Sequence, residues 1–186
     1  MVGQARILSP KEIKNIFQLL PTARDKAMFA IGIYTGLRVG EIVALRADQL
    51  FTESGNVRSI LKVKRKKKKN VVYSDIPMHE KLKKVLADYY EPGKFGKWLF
   101  PSEAAASGHL TRAAAHNILA KAFETLGLED ASTHSMRRSC LTSMSRAGVP
   151  LRTIQEISGH ASLSDLQAYL DVDPDDKRRA IDLLRY

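Results

Sequence analysis

The chain has 186 residues, with 30 Lys and Arg against 20 Asp and Glu and a formal net charge of +10. That length suits one domain, and the charge points to a polyanionic partner, because clustered cations attract anions and displace their counterions. The single cysteine, Cys140, excludes an intrachain disulfide framework and a multi-cysteine zinc site. The start MVGQARILSP lacks the apolar core of a signal peptide, and the longest apolar run, Ala27 to Tyr34, is too short to cross a bilayer, so a cytoplasmic protein is expected.

The first predicted element is a helix that starts at Ser9-Pro10-Lys11-Glu12. Ser9 can cap it, Pro10 fits the first helical position and Glu12 completes a capping box. Ile13, Ile16, Phe17 and Leu20 follow at helical spacing, and Pro21 ends the run. A second helix is expected from about Thr22 to Thr35, closed by Gly36, and a short third one carries Val39, Ile42, Val43 and Leu45. From Asp48 to Pro77 the pattern changes to that of strands. Val57, Ile60, Leu61 and Val63 form one candidate; Val71, Val72, Tyr73 and Ile76 form the other. The unbroken run Lys64, Arg65, Lys66, Lys67, Lys68, Lys69 lies between them, which gives a β-hairpin with a cationic tip.

The remainder reads as helical. Helices are expected over His79 to Tyr90, Thr111 to Leu126, Ser135 to Ala147 and Leu151 to Ser158, the last broken at Gly159. Ser162-Leu163-Ser164-Asp165 opens another, and Pro174 opens a final helix to about Leu184. The expected fold class is mainly α with one small antiparallel sheet. The whole chain is read as one domain, with a core over about residues 10–172.

Three segments carry candidate chemistry. In Thr35-Gly36-Leu37-Arg38-Val39-Gly40-Glu41-Ile42 a glycine breaks one helix, Arg38 opens the next, and Glu41 shares its face and can hold it. In His134-Ser135-Met136-Arg137 a histidine and an arginine project from one helix start, beside free backbone N–H groups that suit an anion. In the third, Ser158-Gly159-His160 is followed nine residues later by Tyr169. On one continuous helix His160 and Tyr169 would face opposite ways, about two and a half turns apart. The break at Gly159 and the cap near Ser162 remove that objection. Each segment alone is weak: an ion pair, a chance pair and an ordinary aromatic would explain them. Together they supply what phosphodiester transesterification needs without a metal. Arginines and histidines can offset the charge of a phosphorane, a tyrosine can attack phosphorus, and a lysine and a histidine can move protons.

TGLRVGEI, HSMRR, SGH and the QAYL tyrosine together resemble the catalytic domain of the tyrosine recombinases, or phage-type integrases, over roughly Pro10 to Ala180. The resemblance implies a site-specific recombinase that cleaves and rejoins DNA strands through a 3′-phosphotyrosine, with no metal, ATP or other cofactor. It makes Arg38 and Arg137 the clamp on the scissile phosphate and His134 the histidine that assists proton transfer. His160 would be hydrogen-bonded to the phosphate, and Tyr169 would be the nucleophile. It also implies a hairpin lysine that protonates the leaving 5′-oxygen. Counting from Val63 favours Lys66, then Lys67; counting back from Ile76-Pro77 favours Lys69. Lys66 is taken as that residue, with Lys64, Arg65, Lys67, Lys68, Lys69 and Arg138 as DNA contacts and Glu41 as a support.

Two departures stand out. Family members often have leucine before the Gly-His pair, where this chain has Ser158, and only a packing effect is expected from that. The separate N-terminal DNA-binding domain of most members is not expected within these residues. The implied partners are double-stranded DNA at the nucleoid and further copies of the chain in a DNA-bound tetramer, with the helix after Pro174 exchanged between protomers about a hinge at Asp171 to Asp176. Two other readings stay open: a non-catalytic DNA-binding protein of the same fold, and an enzyme resembling type IB topoisomerases. His79, His109 and His116 and the remaining tyrosines are expected to be structural or surface residues.

Overall fold

The computed structural model describes residues 5–66 and 71–170, and beyond them Arg178, Ile181, Asp182 and Leu184; of Lys66, Val71, Val72 and Ala168 it describes the backbone. Lys67, Lys68 and Lys69 of the expected hairpin tip lie outside the described residues, as do the hinge at 171–176 and most of the expected last helix.

The chain begins its helices where the sequence signals them. α1 (Pro10–Leu19) opens on a full capping box: Ser9 Oγ accepts the Glu12 N–H, and the Glu12 carboxylate accepts the Ser9 N–H at 2.7 Å. α2 (Ala23–Thr35) is capped by Thr22 and stops at Gly36, whose φ of 66° lies in the left-handed region that glycine adopts without strain. α2 runs through the centre of the molecule. Ala27, Met28, Phe29, Ala30 and Ile31 are all buried, because neighbouring elements cover it on several sides. α3 (Val39–Val43) and α4 (Ala47–Leu50) follow as short turns. α4 is a correction to the strand-type pattern expected from Asp48 onward.

β1 (Ile60–Lys66) and β2 (Val71–Pro77) form a two-stranded antiparallel sheet, with Ile60 opposite Pro77 and Lys66 opposite Val71. Side chains alternate across a strand. Leu61, Val63 and Arg65 therefore face inward, while Ile60, Lys62 and Lys64 are exposed. α5 (Glu80–Tyr89) packs on α2, and α6 (Arg112–Thr125) touches α1, α2, α3 and α7.

α7 (Thr133–Arg146) begins two residues before the expected Ser135, with Ser132 as its cap, so His134 lies within the first helical turn. α8 (Leu151–Ser158) ends at Gly159, where φ is 69°, and α9 (Leu163–Tyr169) opens with Ser162 Oγ accepting the Asp165 N–H at 3.0 Å. One large apolar cluster gathers α1 to α7 and the sheet. A smaller one, built on Leu141, Ile154 and Leu166, joins α7, α8 and α9 and takes in part of Tyr169. The mainly helical fold with one small antiparallel sheet is as expected. Cys140 is buried, which pushes its thiol pKa up to about 12 and makes it an inert packing residue. Among the described residues no helix is long and apolar enough to cross a membrane.

Candidate active site

Arg137 is the centre of the site. It lies in the second turn of α7, and its side chain is fully buried with no carboxylate in contact among the described residues. The terminal carbonyls of two helices hold it instead. Nη1 donates to Gly36 O, just past the end of α2, at 2.6 Å, and Nη2 donates to Ser158 O, the last residue of α8, at 2.9 Å. Helix ends present unpaired carbonyls and the negative pole of the helix dipole, so they suit a buried cation. Burial pulls its pKa down to about 10, with the Arg38 charge as the next cause, and the group stays charged near neutral pH. Its Nε is buried and unpaired.

The turn after α8 brings the other residues in. Gly159 adopts positive φ, and a Cβ there would also overlap the Arg65 guanidinium. This sharp reversal sets His160 beside Arg137, with Nη2 3.2 Å from Nε2 and 3.4 Å from Nδ1. Near-equal distances place the guanidinium against the ring rather than along either nitrogen's lone pair. Burial first, then Arg137 and Arg38, lowers the His160 pKa to about 4, so the ring is neutral at physiological pH. The Tyr169 ring lies 5.5 Å from the His160 ring, and Arg137 Cζ is 5.8 Å from the centre of the Tyr169 ring. The Tyr169 hydroxyl donates to His134 O at 3.3 Å. Burial raises its pKa, while Arg137, Arg38 and Arg138 pull the other way.

Arg38 occupies the outer side. Its side chain is 47% exposed and sits 3.9 Å from the Glu41 carboxylate. Glu41 supports it mainly through the backbone, since the carboxylate accepts the Arg38 N–H at 2.7 Å. The Arg38 charge reaches Arg137, His134, His160 and Tyr169. The His134 pKa is lowered by burial, then by Arg38, Arg137 and Arg112.

The structure therefore brings Arg38, His134, Arg137, His160 and Tyr169 into one site. Lys66 is the last residue of β1, and Lys64 is exposed on the same strand. Two residues expected on the DNA-facing surface are turned inward. Arg65 is buried; its Nη1 and Nη2 donate to the carbonyls of Ser158 and Ile157, because strand alternation puts it on the face of Leu61 and Val63. Arg138 is buried too, and its Nη1 donates to Ala5 O at 2.7 Å, which ties the N-terminal segment across α7. Ser158 is a further correction. It does more than pack: its Oγ lies 2.8 Å from His160 Nδ1. The left-out histidines are structural or exposed. His79 caps α5 and stacks on Tyr34, His109 packs on Trp98, and His116 is exposed.

A cleft of about 1190 Å³ opens beside Glu41, with Arg46, Arg58, Lys62, Lys64, Tyr73 and Trp98 on its walls.

Comparison with known proteins points the same way. The sequence profile of the phage integrase family matches residues 6–176. Tyrosine recombinase XerC of Roseiflexus castenholzii is 32% identical over 179 residues, covering 88% of this chain and 54% of that protein. Tyrosine recombinase XerD of Listeria monocytogenes is 29% identical, with 91% and 59% covered. The chain thus spans somewhat over half the length of these relatives. In fold it matches the crystal structure of XerA recombinase with a TM-score of 0.77 at 24% identity, covering 98% of this chain and 65% of that one. It also matches XerH site-specific recombinase in a post-cleavage complex, with a TM-score of 0.73 at 20% identity and coverage of 97% and 53%.

Proposed function

Because the chain belongs to the phage integrase family, we propose that it is the catalytic part of a site-specific recombinase that breaks and rejoins DNA strands through a covalent link to Tyr169. One observation carries the proposal. The Tyr169 ring lies against two groups suited to a phosphate, the buried Arg137 guanidinium and the His160 ring, and within reach of the Arg38 charge.

In this reading the scissile phosphate binds between Arg38 and Arg137. Arg137 is pre-oriented by its two carbonyl anchors, whereas Arg38 is free to swing onto a phosphate oxygen. Donors fixed before the reaction stabilise the developing phosphorane charge without reorganising, which is where most of the rate gain in such a site arises. His160 is neutral and donates an N–H to a phosphate oxygen. The Tyr169 oxygen attacks phosphorus and its proton leaves with help from His134. The bond to the 5′-oxygen breaks, and that oxygen takes a proton from a hairpin lysine, Lys66 in our assignment. Attack by another strand's 5′-hydroxyl on the 3′-phosphotyrosine then completes exchange and frees Tyr169. The charge comes from side chains, so the scheme draws on no metal or nucleotide cofactor.

Double-stranded DNA is the proposed partner, carried across the basic cleft by Arg46, Arg58, Lys62 and Lys64. Four copies on two duplexes would form the working assembly, joined through the segment beyond residue 170. The test is covalent capture on a nicked suicide substrate. The wild-type chain should form a protein–DNA adduct. Tyr169→Phe should form none while still retarding the DNA in a gel. An adduct formed by the Phe variant would overturn the assignment.

A further inference from the structure

The geometry points to Ser158 as a positioning residue whose hydroxyl donates to His160 Nδ1 and so presents Nε2–H to the phosphate. This rests on the function proposed above for His160 and adds the group that selects its tautomer.

Hydrogen-bond distances carry the argument. Ser158 is fully buried, so water does not compete for its hydroxyl. Among the described residues two acceptors are available to that proton, His160 Nδ1 at 2.8 Å and Gln155 O at 3.4 Å. A hydroxyl bond is strongest near 2.7–2.8 Å and weak beyond about 3.2 Å, so the proton goes to Nδ1. A neutral imidazole carries one proton. With Nδ1 accepting, that proton sits on Nε2, the nitrogen a phosphate oxygen requires as a donor. The opposite tautomer would leave the hydroxyl with only the distant Gln155 carbonyl to receive its proton.

The surroundings fix the same arrangement. The Arg137 guanidinium lies against the ring and opposes a second proton on it. The Gln155 side-chain amide donates to His160 O at 3.2 Å, which holds the backbone of the turn. The Ser158 carbonyl accepts from both Arg137 and Arg65. One residue thus anchors both buried guanidiniums by its backbone and orients the histidine by its side chain. An aliphatic residue at this position could do the first and not the second.

The experiment combines nitrogen NMR of the full chain, labelled at histidine, with the capture assay. In the wild type His160 should show the Nε2–H pattern, with Nδ1 displaced by an accepted hydrogen bond. Ser158→Ala should lose that displacement and admit the Nδ1–H form, keep its thermal melting behaviour, and slow covalent capture about tenfold, within the range of proton-positioning effects. Ser158→Thr, which keeps a hydroxyl, should restore the Nδ1 signal and most of the rate. A wild-type ring protonated at Nδ1, or an identical His160 spectrum in Ser158→Ala, overturns the inference. So does an altered spectrum with unchanged capture. The spectra are recorded without DNA, so they decide the tautomer even if no adduct forms with any variant; that outcome would count against the recombinase reading instead.

Discussion

The inner and outer sides of the site hold their cations in different ways. On the inner side Arg137 and Arg65 are buried and fastened to helix-terminal carbonyls, and among the described residues no carboxylate contacts either guanidinium. On the outer side Arg38 stands half in solvent, with one loose contact to Glu41 at 3.9 Å. An exposed pair of that kind contributes between 0 and about 1 kcal/mol. The contrast separates two tasks. A group that must not move is held by the backbone of the fold and contributes to stability. A group that must reach a ligand is left solvated, and its loss hardly affects the fold. A phosphate arriving between them would meet one arm fixed by backbone carbonyls and one arm left in solvent.

The inner side breaks hardest at Arg137. Arg137→Ala leaves the Gly36 carbonyl without its donor, while the Ser158 carbonyl keeps Arg65, and one buried unsatisfied group costs about 1–3 kcal/mol. The cavity left by its fully buried side chain adds to this and relief of the buried charge offsets part, which gives a net loss of about 3 kcal/mol, read from urea unfolding. A loss below about 1 kcal/mol would mean the carbonyl anchors do not hold this side together.

The sequence exposed this contrast only in part. Helix ends with a local chemical signature were legible: the Ser9 capping box, the glycines at 36 and 159, and the Ser162 cap all act as expected. The five residues proposed for the site could be picked out because their order along the chain is distinctive. Arg65 departs from its expected surface position. It was grouped with the lysine run, although strand alternation already put it on the face of Leu61 and Val63. Arg138 gave less warning, since its partner Ala5 lies 133 residues away and no local spacing encodes that contact. Ser158 gave none. The sense of its hydroxyl depends on where the Gly159 turn sets the imidazole, which is a three-dimensional fact.

Acid probes the inner side more gently. His160 titrates near pH 4 in the folded protein, against about 6.5 for an unfolded histidine. Between those values the unfolded chain binds a proton there that the folded protein excludes, so stability falls as pH drops through the window and is level above it. One such group gives a slope of at most about 1.4 kcal/mol per pH unit. His134 is lowered as well and adds to the same window. The carboxylates with lowered pKa, Glu12 and Asp48, lose their contribution as pH falls from their unfolded values of 4.5 and 3.8, so only Glu12 touches the lower end of this window. His160→Gln should therefore reduce the slope between pH 4 and 6.5 without abolishing it. An unchanged slope in thermal melts across that range would show that the ring is not shielded as described.

The smallest effect on folding belongs to the outer side, and it makes the comparison sharpest. Arg38→Ala removes an exposed side chain whose nearest anionic partner among the described residues is 3.9 Å away, while the Glu41 carboxylate keeps its bond to the backbone N–H of residue 38. Stability should change by less than about 0.5 kcal/mol, as for other surface positions. Covalent capture should nevertheless fall by about a hundredfold or more, the usual result of removing one donor aimed at developing charge. Urea unfolding and capture kinetics on the same preparation check both halves of the statement. If Arg38→Ala destabilised the chain as much as Arg137→Ala, the outer arm would be structural too. If capture were unaffected, Arg38 would have no part in the clamp. A large loss of capture with intact stability is the combination that a solvated arm requires.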